Sequence, residues 1–290
     1  MKDRSLKALG LDEVPAKRPL TYPGRPAAEP ALLSGDELLS LDVRRLRLGD
    51  WYVSRGRRLD ETLLDLGQAS AGRRHPVIAV GSNASPGQVS YKLTRLGIPA
   101  TVPMVPVRVR GVGIGCSGHI SPAGYVAATP YIDRSARGTL VVTWLDAAQL
   151  KAVDDTEFPD YRRAILPGDE FDMTMPSGER LGGAYIYFSA HGVLAGPDGR
   201  PRPGGGDQST LLAALLAESA ELRELLGPDP ATWVARAGAD PAVRERGTAI
   251  FGAAGRVLPQ SDFLPYLDDS SDLRLYDDLP PLAGSIPSMT

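Results

Sequence analysis

Two short stretches of this chain carry residue types that could do chemistry. The first is Gly81-Ser82-Asn83, small residues that tolerate positive φ and donate hydrogen bonds. They lie between the apolar run Val77, Ile78, Ala79, Val80 and the pair Ser85-Pro86. A tight turn of main-chain donors at a helix start is a seat for a carboxylate or a developing oxyanion. The second is the acid cluster Asp154, Asp155, Glu157. A carboxyl group whose pKa is raised suits general base work near neutral pH. Phe158-Pro159 could desolvate Glu157, whereas Asp154 and Asp155 read as solvated. Glu157 is therefore the candidate base. The plain alternatives are an ordinary β–α turn for the first stretch and an acidic helix end left in water for the second.

The elements that must position these residues are legible in the pattern. After Pro76, the run 77–80 is short and β-branched, which favours a buried strand over a helix. Ser85 is a candidate N-cap with Pro86 at the first helical position, and Val89, Leu93 and Leu96 recur at helical spacing. The helix start would bring a dipole end of ~+0.5 charge to the turn. Asp146-Ala147-Ala148-Gln149 caps a short helix expected to end near Asp154. Carboxylates there face the negative dipole end and repel one another, and both effects raise a pKa. Between and after the two stretches, strands are expected at 102–112, 124–129, 139–145, 161–166, 171–175 and 183–188. One early β–α unit followed by many short antiparallel strands reads as an α+β fold with a curled or closed sheet.

Composition bounds the rest. The 290 residues hold 32 basic and 35 acidic side chains, a net charge of -3, so bulk charge implies neither a nucleic-acid nor an anionic-membrane partner. A single cysteine, Cys116, excludes an internal disulfide and a multi-cysteine zinc site. No apolar h-region opens the chain and no apolar run of membrane-spanning length occurs, which makes a cytoplasmic protein the expectation.

Residues 1–33 are charged and then Pro/Ala-rich, and read as an extended, loosely held arm. Segment 34–75 reads as a helical extension. Ser34 and Glu37 make a capping box, and Leu38, Leu39, Leu41, Val43, Leu46 and Leu48 continue it to a stop at Gly49, with a helical turn at 61–66. Its arginines (44, 45, 47, 55, 57, 58, 73 and 74) suggest a solvated basic face. The core is expected over 76–190, with 191–206 a glycine- and proline-rich linker. Segment 207–290 is a helical extension begun at Asp207 or Ser209, with further helices at 230–237 and 240–250 and an acidic tail. That tail is expected to be solvated, with pairing to the basic N-terminal region as the other option. The C-terminal helices could cover a pocket or form a homo-oligomer face.

Gly113 to Gly118 spell G-x-G-x-x-G, but a strand pattern follows where a dinucleotide site needs a helix, so a glycine-rich hairpin is expected. Cys116 and His119 could form a nucleophile pair, yet no orienting carboxylate is near in sequence. His75 and His191 lack metal-ligand spacing. Trp51, Trp144 and Trp233 read as packing residues, and Gly204-Gly205-Gly206 as part of the linker.

Taken together, PVIAVGSNAS and VVTWLDAAQLKAVDDTEFPDY resemble the two landmarks of the γ-glutamylcyclotransferase-like family, in the family's order and separation, over about residues 76 to 190. The resemblance implies that family's fold: a mixed, mainly antiparallel curled sheet or small β-barrel with short helices, here with a helical C-terminal extension. It implies that Gly81, Ser82 and Asn83 hold a γ-glutamyl group, that Glu157 is the general acid/base, and, more loosely, that Tyr161 is the aromatic residue following it. The chain departs from the pattern at Val80, where the family carries tyrosine, and this bears on how a substrate is oriented. The implied activity releases 5-oxoproline and an amine from a small γ-glutamyl compound, without metal or other cofactor. A non-catalytic binding or scaffold protein on the same fold is the alternative.

Overall fold

The alternation that starts at Val102 runs on far past Val112. In a computed structural model describing residues 3–54 and 56–284, it becomes one strand of 20 residues paired with a second of equal length. The other elements collect on this hairpin. In chain order they are β1 (Ala31–Ser34), β2 (Glu37–Asp42), β3 (Tyr52–Val53), α1 (Leu59–Asp65), β4 (His75–Ala79) and α2 (Pro86–Arg95). The hairpin β5 (Thr101–Ile120) and β6 (Val126–Leu145) follows, then α3 (Ala147–Glu157), β7 (Tyr161–Pro167), β8 (Met173–Thr174), β9 (Gly183–Ser189) and β10 (Val193–Leu194). Helices α4 (Gln208–Glu218), α5 (Ala220–Leu226), α6 (Pro230–Ala239) and α7 (Pro241–Ala253) precede β11 (Val257–Leu258).

The strand order is β3-β2-β1-β5-β6-β4-β9-β7. Neighbours are antiparallel except β4 and β9, which run parallel. The fold is α+β with a large, curled, mainly antiparallel sheet that stays open, not a closed barrel. Strand β4 is buried along its whole length: Ile78 enters one core, while Val77 and Ala79 enter another across the sheet. Register shifts between Arg110 and Val112 and between Cys116 and Ile120 bend the long hairpin. Its far part meets α4–α7 around a third core containing Cys116, Ile120, Val126, Leu215, Leu222 and Trp233. All three tryptophans are fully buried packing residues.

Several outer segments differ from the sequence reading. Segment 34–48 is not a helix: its first part is a hairpin of β1 and β2, in which Ser34 pairs with Glu37 across Gly35-Asp36, with Gly35 at φ +65, and residues 43–47 form no regular element. The residues of the supposed capping box close a two-residue turn. Leu39 and Leu41 face one core and Leu33 and Leu38 the other, so β1 and β2 belong to the central sheet. Residues 3–33 of the arm are held firmly, not loosely: Leu6, Tyr22 and Ala27 are buried, and Ala27 N–H donates to the Ala84 carbonyl at 3.0 Å. Segment 191–206 is no free linker, because β10 pairs with both β5 and β11. The glycines of G-x-G-x-x-G lie on β5; Gly115 and Gly118 let this segment close on the strand, and a Cβ at Gly118 would overlap the His191 carbonyl. Arg74 is fully buried, not solvated, and Arg55 lies outside the described residues. The tail partly returns to the basic region, where the Arg47 guanidinium stacks on the buried Tyr276 ring at 3.9 Å and meets Asp277 at 3.5 Å. Among the described residues no helix is long and apolar enough to cross a membrane.

Candidate functional site

Strand β4 ends at Ala79, and Gly81 leads into a single 3-10 turn over Ser82–Ala84 before α2 starts at Pro86. Gly81 does not use its freedom at positive φ, since its φ is -131. It is glycine because a Cβ would overlap the Tyr22 hydroxyl. Ser85 stands at the N-cap position, yet its hydroxyl makes no cap bond.

Helix α3 carries Glu157 as its last residue, three positions beyond the expected end. Its start is fixed by the reciprocal cap of Asp146 and Gln149. Gln149 also accepts from the Arg74 guanidinium at 3.1 Å, and Arg74 donates to the carbonyls of Ala69, Thr101 and Trp144. This buried guanidinium thereby ties the start of β4, which leads into the turn carrying Asn83, to the start of α3, which ends at Glu157.

The turn and the end of α3 meet. Glu157 Oε1 accepts from Asn83 Nδ2 at 3.0 Å and from Lys92 Nζ at 3.1 Å, and Lys92 also donates to Asn83 Oδ1 at 2.9 Å. Val80, Gly81, Ser82, Asn83, Glu157 and Tyr161 all line one cavity of about 320 Å³. Sequence reading missed Lys92. It lies three positions after Val89 and four before Leu96, on the helix face read as apolar, and that spacing was the available signal.

The walls are aromatic. Tyr22, from the N-terminal segment, stacks on Tyr125 with ring centroids 4.2 Å apart. Its hydroxyl accepts from Ala128 N–H at 2.7 Å, and the Tyr161 hydroxyl donates to the Ala128 carbonyl at 2.9 Å. One β6 residue, Ala128, is thus held by both of its main-chain polar groups. Burial raises the pKa of Tyr22 and Tyr161 well above the usual phenol range and pushes Tyr125 up to about 12, so all three stay protonated.

Asp154 is not the solvated acid expected. It accepts from Arg163 and from the Tyr187 hydroxyl, bonds that hold the end of α3 against β7 and β9. Asp155 is exposed and pairs with Lys151. Cys116 and His119 share β5 but part company. The Cys116 thiol is buried beside the Pro203 carbonyl, and desolvation pushes its pKa up to about 11, which removes thiolate chemistry. His119 lines the cavity instead, together with Asp160, a residue that sequence reading left aside.

The close approach at Gly81 predicts the behaviour of an alanine there. Gly81→Ala must displace a hydroxyl held by Ala128, at a cost of ~1–3 kcal/mol typical of overpacking. In urea unfolding the penalty should shrink when Tyr22→Phe removes the hydroxyl; equal penalties in both backgrounds would show that the two residues do not meet.

No family model matches this chain, and neither does any curated protein. Among solved structures, a protein described as a gamma-glutamyl cyclotransferase is similar at 12% identity with a TM-score of 0.33, over 40% of this chain and 66% of that one. Two Arabidopsis thaliana proteins known from solution structures are similar at 19% and 14% identity, with TM-scores of 0.34 and 0.33. They cover 55% and 53% of this chain and 86% and 89% of their own.

Proposed function

We propose that the chain is a γ-glutamylcyclotransferase-type enzyme that releases 5-oxoproline and a free amine from a small γ-glutamyl compound. The observation that carries this reading is the meeting of Glu157 and the Gly81–Asn83 turn in one cavity, with Asn83 Nδ2 3.0 Å from Glu157 Oε1. A γ-glutamyl amide holds its own nucleophile, the α-amine, in the same molecule as the scissile carbonyl. The site's task is to fold that chain into a near-attack ring, where effective molarities of ~10⁵ M or more are available. The α-amine nitrogen attacks the γ-carbonyl carbon, and Glu157 takes the proton that the amine sheds. The carbon–nitrogen bond to the leaving group then breaks, and Glu157 returns the proton to the departing nitrogen. Amides and side chains of the turn grip the substrate carboxylate or the oxyanion. The reaction as written calls for no metal or nucleotide, and a cytoplasmic setting belongs to the same reading.

A panel of γ-glutamyl amines, γ-glutamyl dipeptides and glutathione, scored for 5-oxoproline, tests the proposal. At least one member should turn over, and the one that does names the leaving group. A panel that binds in calorimetry yet yields no 5-oxoproline would instead support a non-catalytic binding protein. That second reading draws on the Lys92 and Asn83 contacts that already occupy Glu157 Oε1.

A further inference from the structure

Behind His119, the residue of β5 that lines the cavity, lies a buried polar network that the chemistry above leaves unused. His119 is 4% exposed, and its Nδ1 lies 2.5 Å from Ser117 Oγ. Ser117 Oγ is 2.7 Å from Ser189 Oγ, which already accepts from His191 N–H at 3.0 Å. Either hydroxyl can donate along this chain, so the tautomer is set from the other side of the ring. The Asp160 carboxylate favours the order in which Ser189 donates to Ser117 and Ser117 to His119 Nδ1, with the imidazole proton on Nε2. Its Oδ2 stands 4.0 Å from His119 Nε2, too far for a hydrogen bond but near enough to favour an N–H over a lone pair. Its Oδ1 is engaged at 2.8 Å by His191 Nε2.

We infer that His119 presents a neutral Nε2–H to the cavity and donates it to the acyl oxygen of the bound substrate. This rests on the amide-cleaving reading, and it assigns the amides of the Gly81–Asn83 turn to the substrate's carboxylate. The imidazole keeps its proton throughout. Negative charge gathers on the carbonyl oxygen as the α-amine attacks, the N–H···O bond strengthens, and it relaxes when the leaving nitrogen departs. A neutral imidazole serves as such an electrophile when its surroundings prevent protonation. Here burial is the main cause, lowering the His119 pKa to about 4, with the stacked His191 ring acting in the same direction. Asp160 and Glu157 oppose it, while Tyr161 meets the ring edge-on as a neutral phenol.

Long-range proton–nitrogen NMR on the ¹⁵N-labelled full chain reads the tautomer directly. His119 should show a protonated Nε2 and an unprotonated Nδ1, titrate only near pH 4, and shift its Nε2–H resonance when 5-oxoproline is added. A proton on Nδ1, or titration near the ordinary histidine value, overturns the inference whatever the activity. In the activity arm His119→Leu should lower kcat by ~10²–10³-fold with little change in KM, and His119→Gln, which keeps a donor at the same reach, should recover part of the loss. Equal loss in both variants overturns it too. Ser117→Ala is the milder probe should His119→Leu fail to fold; it should weaken the tautomer preference and lower kcat. If the unaltered protein turns over no γ-glutamyl amide, the enzymatic reading falls, while the tautomer and the 5-oxoproline shift still decide whether His119 is a donor into the cavity.

Discussion

Glu157→Gln should lower kcat for release of 5-oxoproline by ~10³-fold or more, with the fold intact. A positioned proton-transfer group contributes ~10²–10⁴-fold, and in the proposed cycle the same carboxylate acts twice, first as base and then as acid. Glutamine keeps the size of the side chain and an oxygen that accepts from Asn83 and Lys92, so the cavity should survive. What goes is the basicity and the charge facing Lys92. The pair is largely buried, with side chains 12% and 18% exposed, so a stability cost of ~1–3 kcal/mol accompanies the substitution. Asp154→Asn is the informative control. It weakens the hold of Arg163 and Tyr187 on the end of α3 without touching the proposed chemistry. Turnover by Glu157→Gln within tenfold of the parent would remove Glu157 from the mechanism.

Arg74→Met should be the most damaging single change to the fold, costing ~3–5 kcal/mol. The guanidinium donates to three main-chain carbonyls and to Gln149, and methionine supplies no donor for any of them. Thr101 keeps a bond from Gln149 Nε2, while the Ala69 and Trp144 carbonyls lose this donor, each at ~1–3 kcal/mol less what a trapped water recovers. Asp146, at 4.0 Å, would lose its nearby positive charge as well. Because Arg74 joins the starts of β4 and α3, activity should fall along with stability. Urea unfolding monitored by tryptophan fluorescence measures the effect, since all three indoles are fully buried and become solvated on unfolding. A loss below about 1 kcal/mol would show that the bonds are replaced by solvent.

The parts of the fold read correctly from sequence are those where local pattern and tertiary demand agree. The strand–turn–helix around Gly81 and the capped helix at Asp146 carry apolar spacing, a turn and a start signal that all point one way. The 34–48 stretch failed because its signals are ambiguous. Ser34 and Glu37 three apart cap a helix or close a two-residue hairpin equally well, and only a neighbouring β5 decides. Arg74 sits among surface arginines in the sequence, and nothing local distinguishes the one that four acceptors surround. The glycine motif at 113–118 lies within a strand, and the close approach that Gly115 and Gly118 allow depends on the 191–206 segment, some eighty positions away. In the cavity, Glu157 and the turn stood out as a pair of landmarks, but Phe158, read as desolvating Glu157, is exposed, and Asn83 and Lys92 engage the carboxylate instead. Lys92, Tyr22 and Asp160 did not stand out, because each is supplied by an element whose pattern speaks of something else.

Strand β5 has a dual allegiance. One residue, His119, looks into the cavity, while its neighbour Ile120 packs where α7 passes closest, at Gly247. The helical bundle and the pocket therefore cannot drift apart over evolutionary time as independent modules. A change of residue size on the bundle's inner face reaches the pocket floor through a single peptide unit. Variation in the bundle becomes a route by which the ligand preference of the pocket can be retuned without altering any residue that touches the ligand.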